Sequence, residues 1–268
     1  MSRTRVHHKN LNYEIIKDPS SNLTDDERAV VLSQAVPVAR SGFGNPSITT
    51  EDIALHLFGS GTTILVRDRS ESVVGFSSAD ILKPLGENVI YLQGSVFAPQ
   101  VMGQGAYNVV NALRILDGLE TLDQDSAYVA TRTQSPIVVR NAIRKYGLSP
   151  RPDAKTPAEI PDLARGLAQI IYDEHSDFKH PDGVKFDPHT LVQEMAYGVL
   201  VDGKPKGFCM YGEHIPWARD DHWINGYLKE TLDFENGDAL IPIGKVNATI
   251  PQAYLAIDDI DTQIPVLR

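Results

Sequence analysis

The segment that most limits what this chain can become lies between residues 89 and 116. Residues 89–97 (VIYLQGSVF) carry a β-branched and aromatic strand pattern, and Val109, Val110, Leu113 and Leu116 then fall on one helical stripe. Between them runs Ala98-Pro-Gln-Val-Met-Gly-Gln-Gly105. A strand that turns so abruptly into an amphipathic helix points to a layered α/β structure. Gly103 and Gly105 let backbone amides approach a ligand that any Cβ would push away. The first helical turn adds amides with no helical partner and a partial positive charge, which together seat a pyrophosphate. A glycine-bearing turn with no ligand is the plain alternative.

The flanking sequence continues the alternation. Residues 13–17 read as a short strand, and Thr24-Asp-Asp-Glu27 has capping-box spacing for a helix running through Ala29, Val30 and Leu32 toward Pro37. Residues 40–48, rich in Gly, Ser and Pro, read as a loop, after which Thr50 can cap a helix over 51–58. Strands are expected over 62–67 and 73–82, and Tyr91, Gln93 and Ser95 share one face of 89–97. A further strand spans 127–133, and a helix spans 136–146, stopped by Gly147.

Residues 149–160, with three prolines, read as a linker or long loop. Beyond it come a helix over 161–172, a polar irregular stretch over 175–189 and a hairpin over 197–211 turning at Asp202-Gly203. A last strand over 239–246 contains Pro242, which suits an edge or a bulge. The expected division is a core over 1–148 and a C-terminal extension over 149–268.

Composition narrows the function. At 42% hydrophobic and 22% charged residues the chain can bury a core. A formal charge of −10 argues against a nucleic-acid partner, which needs clustered Lys and Arg. Cys209 is the sole cysteine, so neither an intramolecular disulfide nor a cysteine metal cage is possible. No run approaches the ~18 apolar residues of a membrane helix. The polar start, Met1 to His8, carries no apolar signal core, so the expected address is the cytoplasm, with no membrane partner.

Gln100-Val-Met-Gly103-Gln-Gly105 resembles the Gln/Arg-x-x-Gly-x-Gly/Ala signature of the GCN5-related N-acetyltransferase (GNAT) family. The stretch 127–147 resembles that family's second block, a strand ending in Thr131-Arg-Thr-Gln-Ser-Pro136 before a helix closed by Gly147. The similarity covers roughly residues 12–148. It implies an α/β (mixed α+β) fold, a GNAT-like twisted mixed sheet flanked by helices, with an elaborated C-terminal part. It implies an acetyl-CoA or other acyl-CoA co-substrate and no metal. The pantetheine would pair with backbone near Phe97 and Ala98. The amides of Val101, Met102, Gly103, Gln104, Gly105 and Ala106, beside Gln100, would hold the pyrophosphate. Ser135 stands where relatives place an Asn that contacts pantetheine. Pro99 precedes Gln100 directly, where relatives have two intervening residues. Ala142 stands near the place of the frequent catalytic Tyr, with Tyr146 one turn later.

The implied reaction moves an acyl group to a small-molecule or peptide amine by direct attack on the thioester. The amine must lose a proton and the thiolate gains one. Residues 88–97 hold no carboxylate, though Tyr91, Gln93 and Ser95 can order a water. Residues 211–222 (YGEHIPWARDDH) hold two His and three carboxylates, and Glu213 or His214 is a candidate base, against the plain reading of a solvated loop. The candidate catalytic residues are therefore Tyr91, Tyr146, Glu213 and His214. Trp217 and Trp223 are candidate substrate anchors or ordinary edge aromatics. The competing classes are a non-catalytic acyl-CoA sensor and a metal-dependent hydrolase using His175, Asp177, His180, Asp220, Asp221 and His222.

Overall fold

The structure is a computed structural model and describes residues 3–46, 48–176 and 178–257. The chain opens with β1 (Arg3–His8) and β2 (Leu11–Lys17), an antiparallel pair with Arg3 opposite Ile16 and His8 opposite Leu11. Sequence pattern does not predict β1, because only Val6 and His8 of its six residues are buried. An outer strand can satisfy its backbone with little apolar content.

Two helices follow, α1 (Pro19–Asn22) and α2 (Asp25–Phe43). The Thr24 hydroxyl accepts from the Glu27 amide at 3.2 Å and the Glu27 carboxylate accepts from the Thr24 amide at 2.8 Å, closing the predicted capping box. The helix does not give way to a loop at residue 40. It runs through Pro37 to Phe43 and ends at Gly44, φ 64°. Proline deletes one helical hydrogen bond, and Val31, Ala35, Val38 and Ala39, buried on both sides of it, hold the helix together. Next comes α3 (Thr50–Phe58), whose cap is Thr49 rather than Thr50, paired with Asp52.

Strands β3 (Thr62–Arg67), β4 (Val73–Leu82) and β5 (Val89–Phe97) lie where the sequence predicts them, and α4 (Ala106–Leu122) follows the glycine turn. β6 (Ser126–Ala130) stops short of Thr133, and α5 (Pro136–Tyr146) ends at Gly147, φ 68°. The C-terminal part contains α6 (Ile160–His175), β7 (Phe186–Asp187), β8 (Val192–Gln193), β9 (Gly198–Val201) and β10 (Lys204–Gly207). It continues with α7 (His222–Thr231), β11 (Ala239–Leu240), β12 (Ile243–Asn247) and α8 (Thr249–Ile257). β9 and β10 form the predicted hairpin, with Asp202 at φ 51° and Gly203 at φ 72°. The strand expected over 239–246 is divided at Pro242. That residue has no amide to give a ladder, while its carbonyl accepts from Thr131 at 3.2 Å.

Seven strands are ordered β1-β2-β3-β4-β5-β6-β12. The β1–β2, β2–β3 and β3–β4 pairs are antiparallel and β5–β6 is parallel, giving the predicted mixed sheet flanked by helices. The chain condenses into two compact units, each drawn from separated stretches of sequence. Of the described residues, one takes those up to Ile81, Leu92–Ser126 and those from Asn247 on. The other takes Leu82–Tyr91 and Ala127–Val246. The first core packs Ile15, Ile64, Val66 and Phe76 of the sheet with Ala35 of α2, Leu113 of α4 and Leu255 of α8. The second packs Ile143, Leu167, Ile171 and Leu228 of its helices with Val89, Ala130 and Leu240.

Candidate functional site

In the first unit β5 leaves the sheet through a tight turn. Ala98 donates to the Val74 carbonyl at 2.8 Å and accepts from the Val101 amide at 3.0 Å. Pro99–Val101 is a single 3-10 turn, and Met102 and Gln104 donate to the carbonyls of Pro99 and Val101 at 3.2 and 3.3 Å. The Gln104 side chain donates to the Gln100 carbonyl at 2.8 Å. The amides of Val101, Met102 and Gln104 are thus engaged within the turn, and the expected cradle of Val101 to Ala106 is narrower than the sequence implies. Among the described residues, those of Gly103, Gly105, Ala106 and Tyr107 have no hydrogen-bond partner. Gly103 and Gly105 sit at φ 80° and 85°, with nothing within 4 Å of where a Cβ would stand. A left-handed backbone is what glycine supplies at little cost, and here two such glycines stand at the start of a 17-residue helix.

Beside this turn in the same unit, β4 and β5 carry a chain of polar groups. His56 Nε2 lies 3.1 Å from the Gly94 carbonyl and 3.1 Å from the Ser78 hydroxyl. A carbonyl only accepts, so Nε2 carries the proton. The Ser78 hydroxyl donates to the Gln93 side-chain carbonyl at 3.3 Å, and the Gln93 amide donates to Asp80, which also accepts from the Gly61 amide at 2.5 Å. Asp80 is the carboxylate that a search along 88–97 misses, because it belongs to the neighbouring strand. Its signal was the polar alternation Ser78, Asp80 on β4. Arg114, 2% exposed, donates from Nη1 to the Ser78 and Gln93 carbonyls at 2.7 and 2.8 Å and from Nη2 to Asn111.

The remaining sequence candidates belong to the second unit. There β5 pairs with β6 only from Val89–Tyr128 to Tyr91–Ala130. Tyr91 is 5% exposed, its ring 6.1 Å from that of His175, and Tyr146 closes α5 from a buried position. Ser135 caps α5, its hydroxyl accepting from the Val138 amide at 3.4 Å. Glu213 and His214 are exposed on a turn in which His214 donates to the Tyr211 carbonyl at 3.0 Å.

Of the carboxylates in 211–222, Asp221 is structural. It caps α7 through the Ile224 amide at 3.2 Å and takes both prongs of Arg144 at 3.0 and 3.1 Å. The Arg144 guanidinium and that amide hold its carboxyl below the usual carboxylate range. Trp223 stacks on Tyr227 at 5.2 Å, and Trp217 meets the Phe234 ring edge-on at 5.8 Å. Among the described residues no three His, Cys, Asp or Glu side chains are grouped to hold a metal, and Asp177 lies outside the described residues.

No protein-family model matches the sequence, and no curated protein matches it. Solved structures do resemble the chain. Three of them are acetyltransferases of the GNAT family. One from Staphylococcus aureus Mu50 is 12% identical with a TM-score of 0.36, and the match covers 53% of this chain and 89% of that one. The GNAT N-acetyltransferase of Escherichia coli, solved with CoA, is 14% identical with a TM-score of 0.37, covering 50% and 71%. A GNAT phosphinothricin acetyltransferase of Sinorhizobium meliloti, solved with AcCoA, is 11% identical with a TM-score of 0.34, covering 53% and 74%.

Proposed function

We propose that this chain is an acyltransferase that binds an acyl-coenzyme A through residues 100–107 and passes the acyl group to an amine. The observation that carries the reading is the turn itself. Two left-handed glycines leave four amides without partners at the head of α4, with open space in front of both glycines. That arrangement suits a pyrophosphate, whose charge the helix start favours and whose oxygens need several donors.

In the reaction the amine nitrogen attacks the thioester carbonyl carbon, the C–S bond breaks, and the proton lost by the amine balances the one the thiolate gains. Ala98 has its amide on β4, so pantetheine pairing on this strand would use the backbone of Phe97. For the base, the exposed Glu213 and His214 suit direct contact with an amine better than the buried Tyr91 and Tyr146.

Gly103→Glu and Gly105→Glu test the donor site. A side chain there enters the space assigned to the pyrophosphate and adds repulsion between like charges. Strain at positive φ costs about 1–2 kcal/mol, which a folded domain tolerates. Both variants are expected to keep a wild-type circular dichroism spectrum and to lose acyl-CoA binding in calorimetry, and adenosine is expected to compete far less than coenzyme A. Unchanged affinity in both variants would remove this reading.

A further inference from the structure

Seven arginines of this chain have a described ion pair with a carboxylate, among them Arg3 with Glu27, Arg67 with Glu14 and Arg144 with Asp221. That is expected of a chain with 35 acidic and 25 basic residues. Arg132 is among the arginines with no described ion pair. Its Nη1 donates to the Ser176 hydroxyl at 3.1 Å and its guanidinium carbon stands 5.3 Å from the centre of the Tyr197 ring. Nε is buried without a hydrogen-bond partner, and among the described residues no carboxylate pairs with the group. Arg114 spends both Nη1 and Nη2 on neutral acceptors, whereas the half-buried Arg132 guanidinium, with one hydroxyl and an aromatic face, keeps donors to give an anion. Arg132 stands in the second unit, two residues past Ala130, the last residue of β6 that pairs with β5. That is about 7 Å of extended chain beyond the last pair.

We propose that Arg132 and the Ser176 hydroxyl form a carboxylate-binding subsite, and that the amine acceptor is a small molecule of the amino-acid class. A planar carboxylate matches the guanidinium fork, and the Tyr197 ring offers an apolar wall beside it. In a chain of net charge −10 the carboxylate of an amino acid meets an unfavourable field, so a local cation must supply its recognition. The word acceptor rests on the acyltransferase reading; the subsite does not.

The test uses the full chain and matched pairs that differ by one carboxylate, such as lysine with cadaverine and ornithine with putrescine, with acetyl-CoA as donor. The wild type is expected to favour the amino acids at least tenfold in kcat/KM. Arg132→Met is expected to bring the ratio near one, mainly through KM, and Arg132→Lys to keep part of it. Glutarate, without any donor, is expected to raise the melting temperature of the wild type but not of Arg132→Met. Absent transfer with an Arg132-dependent glutarate shift would sink the enzyme reading and keep the subsite. An unaltered substrate ratio, or equal glutarate shifts in both proteins, would overturn the proposal. So would a loss in Arg132→Met of affinity for coenzyme A but not for dephospho-coenzyme A, since Arg132 would then serve the donor's ribose phosphate.

Discussion

Asp221 places two tasks on one carboxylate, the cap of α7 and the fork of Arg144. Sequence shows it only as one of two acids before His222, a candidate metal ligand beside the plain reading of a solvated loop. Its partner Arg144 stands 77 positions away and appears only when the chain folds. Asp221→Asn keeps a capping oxygen and removes the charge, so it is expected to cost about 1 kcal/mol at pH 7, the Arg144 side being 44% exposed and partly screened. The folded pKa of Asp221 is depressed, so its contribution is present above the unfolded value near ~3.9 and fades as pH falls through the folded one. Urea unfolding at pH 7 and pH 3 should show the wild-type advantage shrinking in acid. A constant difference at both pH values would mean that the charge contributes nothing.

Among the elements, α4 shows both the reach and the edge of pattern reading. Its apolar stripe was legible in Val109, Val110 and Leu113, all buried. Arg114 was not, since a charged residue in a helix reads as solvent-facing, whereas here it is buried and holds a carbonyl from each of two strands. Arg114→Met would leave the buried Ser78 carbonyl and the partly buried Gln93 carbonyl without this donor, and is expected to cost about 3 kcal/mol. Arg114→Lys, retaining a charge but not the fork, should fall between. Thermal unfolding followed by circular dichroism decides it, and a methionine variant that melts with the wild type would show those carbonyls satisfied some other way. In α2 the reading fails for a different reason. Pro37 is a local stop signal, and the buried residues on both sides of it outweigh the one hydrogen bond it deletes.

For the whole molecule, sequence suggested a boundary after residue 148, where three prolines cluster within 149–160. The compact units are drawn from interleaved stretches: the first unit includes the described residues from Asn247 on, and residues 82–91 and 127–148 belong to the second. A fragment of residues 1–148 would lack α8, whose Leu255 sits in the first core. It would also strip Val89, Ala130 and Ile143 of the apolar side chains of α6 and α7 that bury them. We expect this fragment to lose cooperative thermal unfolding and to aggregate, because contiguous apolar surface would face water. A fragment that melts as sharply as the full chain would show that residues 1–148 suffice for a core.

What the sequence by itself determined is the local grammar. The cap at Thr24, the stop at Gly147, the turn at Asp202-Gly203, the strands 62–67, 73–82 and 89–97, and the glycine turn before α4 all follow from dihedral preferences and hydrogen bonds a few residues apart. Only the tertiary structure decided what depends on neighbours distant in sequence. Asp80 meets Gln93 because β4 and β5 are neighbours in the sheet, Arg114 is buried because sheet carbonyls accept it, and Arg132 lacks an acid among the described residues because of where the chain sets it. The physical reason is range. Backbone propensity acts within a turn or two, while burial and charge pairing are set by groups that approach only once the chain has closed.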